Sequence, residues 1–184
     1  MQITLGLKSL SLTNQNVKIQ ALWISVFTSL TAVGAWLEIP TQPVPFTLQT
    51  FFVLLSGALI GARNGAISQI AYLALGAIGL PVFAGFSFGF AKIVGLTGGY
   101  LLSFPVAAFV VGYLINLNKS YLWVLLSMTI GMLVIFTLGT LFLNFVYLND
   151  WKQSITSGFF IFTWWDTLKI FAAASIYYKL QNKN

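Results

Sequence analysis

Gly158-Phe-Phe-Ile-Phe-Thr-Trp-Trp-Asp166-Thr-Leu-Lys169-Ile-Phe-Ala-Ala-Ala-Ser-Ile-Tyr177 is long enough to cross a bilayer and holds two opposite charges near its middle. Residues three apart on a helix share a face, so Asp166 and Lys169 point the same way. An ionisable group in the hydrocarbon costs roughly 2.5–3.5 kcal/mol on insertion scales, and the chain has only three carboxylates in 184 residues. Two readings fit the stretch by itself. One is an ion pair that partly neutralises itself or snorkels to an interface. The other is a polar ligand site inside a membrane bundle.

Composition places the stretch in its solvent. The chain is 58% hydrophobic and 7% charged, against about 25% charged in soluble domains. It therefore reads as an all-α integral membrane protein. At about 20 residues per span, its length accommodates six transmembrane helices in a single domain over residues 1–184. Residues 1–17 lack the pattern of a signal peptide and read as a polar N-terminal tail. There is no Cys and no His, which removes thiol and imidazole nucleophiles and most transition-metal sites. No cofactor and no metal is expected. Glu38, Asp150 and Asp166 are far apart in sequence, which weakens paired-carboxylate catalysis. The basic residues are scattered singly, so the net charge of +6 does not point to nucleic acid.

Apolar runs and breakers put spans at about 19–37, 47–61, 65–80, 98–116, 121–147 and 159–178. The second and third look short for ~30 Å of hydrocarbon. The glycines at Gly57, Gly61 and Gly65 between them read as a close-packing surface. With both ends on one side, that side collects Lys8, Lys18, Arg63, Lys119, Lys179 and Lys183, and the other only Lys92 and Lys152. This asymmetry predicts cytoplasmic termini and favours an even number of spans.

Between the third and fourth spans, Gly79-Leu-Pro81-Val-Phe83-Ala-Gly85-Phe-Ser87-Phe-Gly-Phe-Ala-Lys92-Ile-Val-Gly95-Leu-Thr97-Gly98-Gly99-Tyr100 is external on this topology yet apolar. Seven of the 16 glycines fall between Gly76 and Gly99. Irregular backbone at membrane depth is tolerated where it is buried in protein or lines a cavity. The segment thus reads as folding inward, either as a lid over a pocket or as a plug. Gly98-Gly99 ahead of a helix could present free N–H groups to an anion. No Gly-Lys-Ser/Thr occurs anywhere, so ATP-driven work would need other subunits.

Pro43-Val-Pro-Phe-Thr-Leu-Gln49-Thr, Gly79-Leu-Pro-Val-Phe-Ala-Gly85 and Thr97-Gly-Gly-Tyr100-Leu-Leu, in this order and spacing, resemble the BioY family. These are the biotin-specific substrate-capture (S) components of energy-coupling factor (ECF) transporters. The resemblance runs from about residue 20 to the end. It implies a six-helix bundle in the cell membrane that binds biotin from outside, with a transmembrane T component and two ABC-type ATPase subunits as partners. It assigns biotin contacts to Asp166 and Lys169, and further loop contacts to Gly85, Ser87 and Tyr100. It also implies that a small-residue face on the first helix, here Ala21, Ser25 and Ser29, docks the T component. Packing of that face within the chain is the alternative.

A ureido ring offers two N–H donors and a strong carbonyl acceptor. Asp166 suits the N–H groups, while Lys169 suits the carbonyl or holds Asp166 ionised; such charge-assisted bonds are roughly twice as strong as neutral ones. Phe83, Phe86, Phe88, Trp164 and Trp165 are candidate apolar walls, with at least half of them expected to face lipid or to serve structure instead. Lys92, the only charge in the glycine-rich segment, is the candidate for the biotin carboxylate, with a solvated loop lysine as the alternative. An S component for another vitamin is the nearest competing reading. An intramembrane enzyme is the competitor from a different class.

Overall fold

A computed structural model describes residues 16–159 and 163–182. Most of the polar tail, Lys8 and Lys183 lie outside these residues. The side chain of Asn16 accepts from the Lys18 N–H at 3.1 Å and starts α1, Val17–Trp36. A short antiparallel hairpin follows, β1 (Glu38–Ile39) with β2 (Phe46–Thr47), where sequence reading had only a helix stop and a helix entry. Then come α2 (Gln49–Ala77), a 3-10 turn at Ala84–Phe86, α3 (Phe90–Ile93) and α4 (Gly98–Leu117). α5 (Tyr121–Leu143) runs into a widened π turn at Asn144–Leu148, followed by α6 (Trp151–Gly158) and α7 (Thr163–Asn182).

Among the described residues, four segments are long and apolar enough to cross a membrane: Val17–Trp36, Gln49–Ala77, Gly98–Leu117 and Tyr121–Leu148. The second doubles back. Gly61 sits at φ +82°, ψ 169°, outside the helical region and favourable only to glycine. A Cβ on Gly65 would lie 2.8 Å from the Gly57 Cα, although eight residues of continuous helix span about 12 Å. Cross-links between the two arms follow: Gln69 Nε2 donates to Ser56 Oγ at 3.2 Å, and Gln49 Nε2 to Tyr72 Oη at 2.6 Å. The two arms occupy the ranges expected for the short second and third spans.

Small residues set how closely these helices approach. A Cβ on Gly57 would fall on the Ala108 carbonyl, and one on Gly112 would fall on the Ala62 nitrogen. This is the close packing that the glycine spacing suggested, and it seats α4 against both arms of α2. Gly98 and Gly99 serve the same purpose, backed by Ile93 and Phe142, and the Gly98 N–H is committed to the Gly95 carbonyl at 2.8 Å. Both are packing glycines, and one of the two N–H groups that could face an anion is thereby taken.

The helices alternate in direction. The Trp123 indole donates to the Leu114 carbonyl across the α4–α5 turn, and Tyr121 stacks edge-on against Tyr178 of α7. Arg63, Lys119 and Lys179 thus gather at one end. Lys92 and Lys152 lie at the other, with the β hairpin, α3 and α6. Inside the bundle, Thr28 donates to the Ser68 carbonyl at 2.9 Å, and Gln69 also bonds Thr31 and Ser68. With no water to satisfy them, such groups must bond one another.

The last span differs from expectation. A helix entering near residue 159 would put Asp166 about 10 Å from that end at 1.5 Å per residue. Instead Phe159 leaves the helical path after α6, and α7 is described from Thr163. Asp166 therefore lies in the first turn of α7, about 4.5 Å from its first described residue at 1.5 Å per residue. Carboxylates are favoured there by the helix dipole. α7 carries three charges (Asp166, Lys169 and Lys179) and is not among the four most apolar segments.

Replacing Gly112 with Ala is expected to lower the stability of the purified protein by about 1–3 kcal/mol, the usual cost of overpacking. The contact is backbone to backbone, so no side chain can move aside. Thermal unfolding in detergent measures it, and an unchanged midpoint would contradict the packing described.

Candidate functional site

The polar centre of the molecule is built on Lys169. Its Nζ donates to Asp166 Oδ1 at 2.8 Å, to the Thr47 carbonyl at 2.6 Å and to Thr50 Oγ1 at 3.1 Å. An ammonium has three N–H donors, so all of them are in use. Thr50 in turn donates to Asp166 Oδ1 at 3.0 Å. One ion pair thereby joins α7 to the start of α2 and to β2. Residues 47 and 50 are brought to it because β2 runs straight into α2, whose first turn places Thr50 beside the entry of α7.

Asp166 is only 2% exposed, yet every bond just described uses Oδ1. No buried side-chain nitrogen or oxygen among the described residues lacks a partner. The second carboxylate oxygen, Oδ2, must therefore face open space. That space is a cavity bordered on its polar side by Thr47, Gln49, Thr50, Asp166 and Lys169. Leu101, Phe104, Ile135 and Phe136 form its apolar wall, Val44 and Pro45 close it from the β hairpin, and Phe83, Ala84, Lys92, Thr97 and Tyr100 complete it. This mixture of apolar wall and a few convergent polar groups is characteristic of small-molecule sites.

The glycine-rich segment does fold inward. Phe83 is fully buried, its ring packed on Gly76 and edge-on to Tyr72 with centroids 5.4 Å apart. The turn behind it is held by the Phe83 N–H donating to the Ser87 carbonyl at 3.0 Å and Ser87 Oγ donating to the Ala84 carbonyl at 2.6 Å. The Trp36 indole at the end of α1 anchors the segment by donating to the Pro81 carbonyl at 2.9 Å. Tyr100 pins the far wall, donating to the Gly158 carbonyl at 2.7 Å at the end of α6.

Of the residues singled out from sequence, Asp166, Lys169, Tyr100, Phe83 and Lys92 meet at this cavity. Gly85 and Ser87 do not line it. They border a second, outer chamber together with Glu38, Lys92 and Thr97. Phe86, Phe88, Trp164 and Trp165 are not walls: all four are exposed, Trp164 at 74% and Phe86 at 61%. Phe86 stacks instead on Trp36 with centroids 5.2 Å apart, at the outer edge of the bundle. Ala21, Ser25 and Ser29 are exposed along one face of α1, so they are not used for packing within the chain.

Several lining residues escaped sequence reading. Thr47, Gln49 and Thr50 sit inside one of the quoted motifs, and three polar side chains at the mouth of an apolar helix are a usable signal. Phe104, Ile135 and Phe136 gave none, because an apolar residue facing a cavity looks the same in sequence as one facing lipid.

The sequence model of the BioY family matches residues 8–184. A biotin transporter BioY from Thermotoga maritima is 45% identical over 162 residues, covering 88% of this chain and 95% of that protein. Among solved structures, the fold is similar to the S-component for biotin from an ECF-type ABC transporter. That match has a TM-score of 0.85 and 26% identity, and covers 93% of this chain and 95% of the other.

Removing the lysine and leaving its carboxylate is the sharpest test of the knot. Lys169→Met is expected to cost about 3 kcal/mol, the low end for breaking a buried pair. The double variant Asp166→Asn, Lys169→Met should be more stable than Lys169→Met, since it leaves no lone charge. Thermal unfolding of the three proteins checks the order.

Proposed function

Since the chain belongs to the BioY family, we propose that it captures biotin at the cavity beside Asp166 and carries it across the membrane. It is an integral membrane protein and the S component of an ECF-type transporter, a transport subunit with no catalytic step of its own. The observation that carries the site assignment is the free Oδ2 of an otherwise fully bonded, buried Asp166, facing a cavity with apolar walls.

In this reading Asp166 Oδ2 accepts from a ureido N–H of biotin. Lys169 has no spare proton, so its part is to keep Asp166 ionised and aimed; a ligand carbonyl engages it only by displacing Thr47 or Thr50. Phe83, Phe104 and Phe136 hold the bicyclic rings, with Tyr100 supporting the wall. Lys92, at the rim, meets the valerate carboxylate, and Gly85 and Ser87 shape the approach from outside. Burial of the polar end rejects ligands that lack matching groups, because they would leave Asp166 desolvated and unpaired.

The membrane arrangement belongs to the same proposal. The two arms of α2 cross separately and α7 crosses last, which makes six passes in the plasma membrane. Arg63, Lys119 and Lys179 lie on the cytoplasmic side with both termini, and the cavity opens outward. The exposed face of Ala21, Ser25 and Ser29 docks the T component, which works with two ABC-type ATPase subunits. Membrane lipid surrounds the remainder.

Asp166→Asn keeps the shape of the side chain and removes its charge. A hydrogen bond to a charged group is worth about 1.5–3 kcal/mol, so biotin affinity should fall on the order of 10- to 100-fold. Calorimetric titration of both purified proteins measures this, with thermal unfolding to establish that the variant is folded. Equal affinities would take Asp166 out of the site, and a vitamin other than biotin binding more tightly to the unaltered protein would replace the ligand.

A further inference from the structure

Beyond the inner cavity the path does not end. The outer chamber shares Pro45, Ala84, Lys92 and Thr97 with it, so the two are continuous at Lys92. The outer chamber is the larger of the two. Its further wall is polar, with Thr41, Gln42, Ser87 and Gln153. Glu38 also faces it from β1, and a Cβ on Gly85 would come to 3.3 Å from Glu38 Oε1. Neither Glu38 nor Lys92 pairs through its side chain with another described residue. The chamber thus presents one unpaired carboxylate and one unpaired ammonium just outside the place where a ligand's carboxyl end lies.

A ligand extended from that carboxyl end would pass into the outer chamber without disturbing the contacts at Asp166. An extension ending in an amino-acid head would carry an ammonium group that complements Glu38. We propose that the outer chamber admits biotin joined as an amide to the ε-amine of lysine, with Glu38 receiving the lysine α-ammonium. This rests on the reading that biotin occupies the inner cavity. In the conjugate the biotin carboxylate has become an amide, and Lys92 then donates to the amide carbonyl. The same protein would thereby take up both free biotin and biotin still attached to the lysine that carried it.

The test is competition against radiolabelled biotin on the purified protein. Three competitors are needed: biotin, its neutral N-butylamide, and its ε-amide with lysine. The lysine amide is expected to bind within about tenfold of biotin, the scale of an exchanged semi-exposed charge contact and amide contact. Glu38→Gln should weaken the lysine amide about threefold to fivefold and leave biotin and the butylamide unchanged. A lysine amide more than tenfold weaker than biotin would overturn the proposal. So would a Glu38→Gln protein that shows no selective loss for the lysine amide. Failure of biotin itself to bind is a different result, which removes the biotin reading on which the proposal stands.

Discussion

The structure depends on satisfying a lysine where water is scarce. Lys169 spends its three protons on three acceptors, one each from α7, from β2 and from the first turn of α2. Each acceptor lies far from the others in sequence or on a different element. The arrangement fixes where α7 stands against α2 and how the β hairpin enters the bundle. Asp166 balances the charge and is itself held by Thr50. Charged groups inside membranes are expensive unless paired, so the same requirement that makes the pair stable also makes its geometry specific.

The remaining polar atom of that knot, Asp166 Oδ2, is where structure becomes site. It stays unbonded because the space in front of it is hollow. The hollow exists because helices on either side are held at set distances. Gly57 and Gly112 bring α4 against the arms of α2 at the opposite end, while the bulky Phe104, Ile135 and Phe136 stand off at the cavity. Tight packing at one end and bulky, open packing at the other leave a pocket under the glycine-rich segment. That segment closes it by burying Phe83 on Gly76, a contact a Cβ at 76 would forbid.

Much of this was legible from residues. The charge pair three apart on a helix and the apolar segment rich in glycine each point to the right local arrangement. The close packing read from Gly57-Gly61-Gly65 is found at Gly57 and Gly65, whereas Gly61 is where α2 reverses. Asp166, Lys169, Tyr100, Phe83 and Lys92 do converge on one cavity. Of the five candidate aromatic walls, at least half of which are expected to face lipid or serve structure, Phe83 alone lines the cavity, because aromatic residues near a membrane surface are equally at home in lipid and in protein. Residues 160–162 lie outside the described residues, so the comparison for the Asp166 helix rests on Phe159, which reads as helical by composition and stands outside both helices. Where α6 ends, Tyr100 holds the Gly158 carbonyl, a contact 58 residues apart in sequence.

What the sequence determined by itself was solvent and class. A chain with 7% charged residues has to bury itself in lipid, and the few charges it keeps have to meet partners. Three short motifs carried the family. What only the tertiary structure decided was which partners those charges meet and which of their atoms remain free. Hydrophobic patterning acts through local periodicity and is written along the chain. Lys169 meeting Thr47 and Thr50, and the cavity before Asp166 Oδ2, depend on elements more than a hundred residues apart coming together. No local pattern encodes that distance.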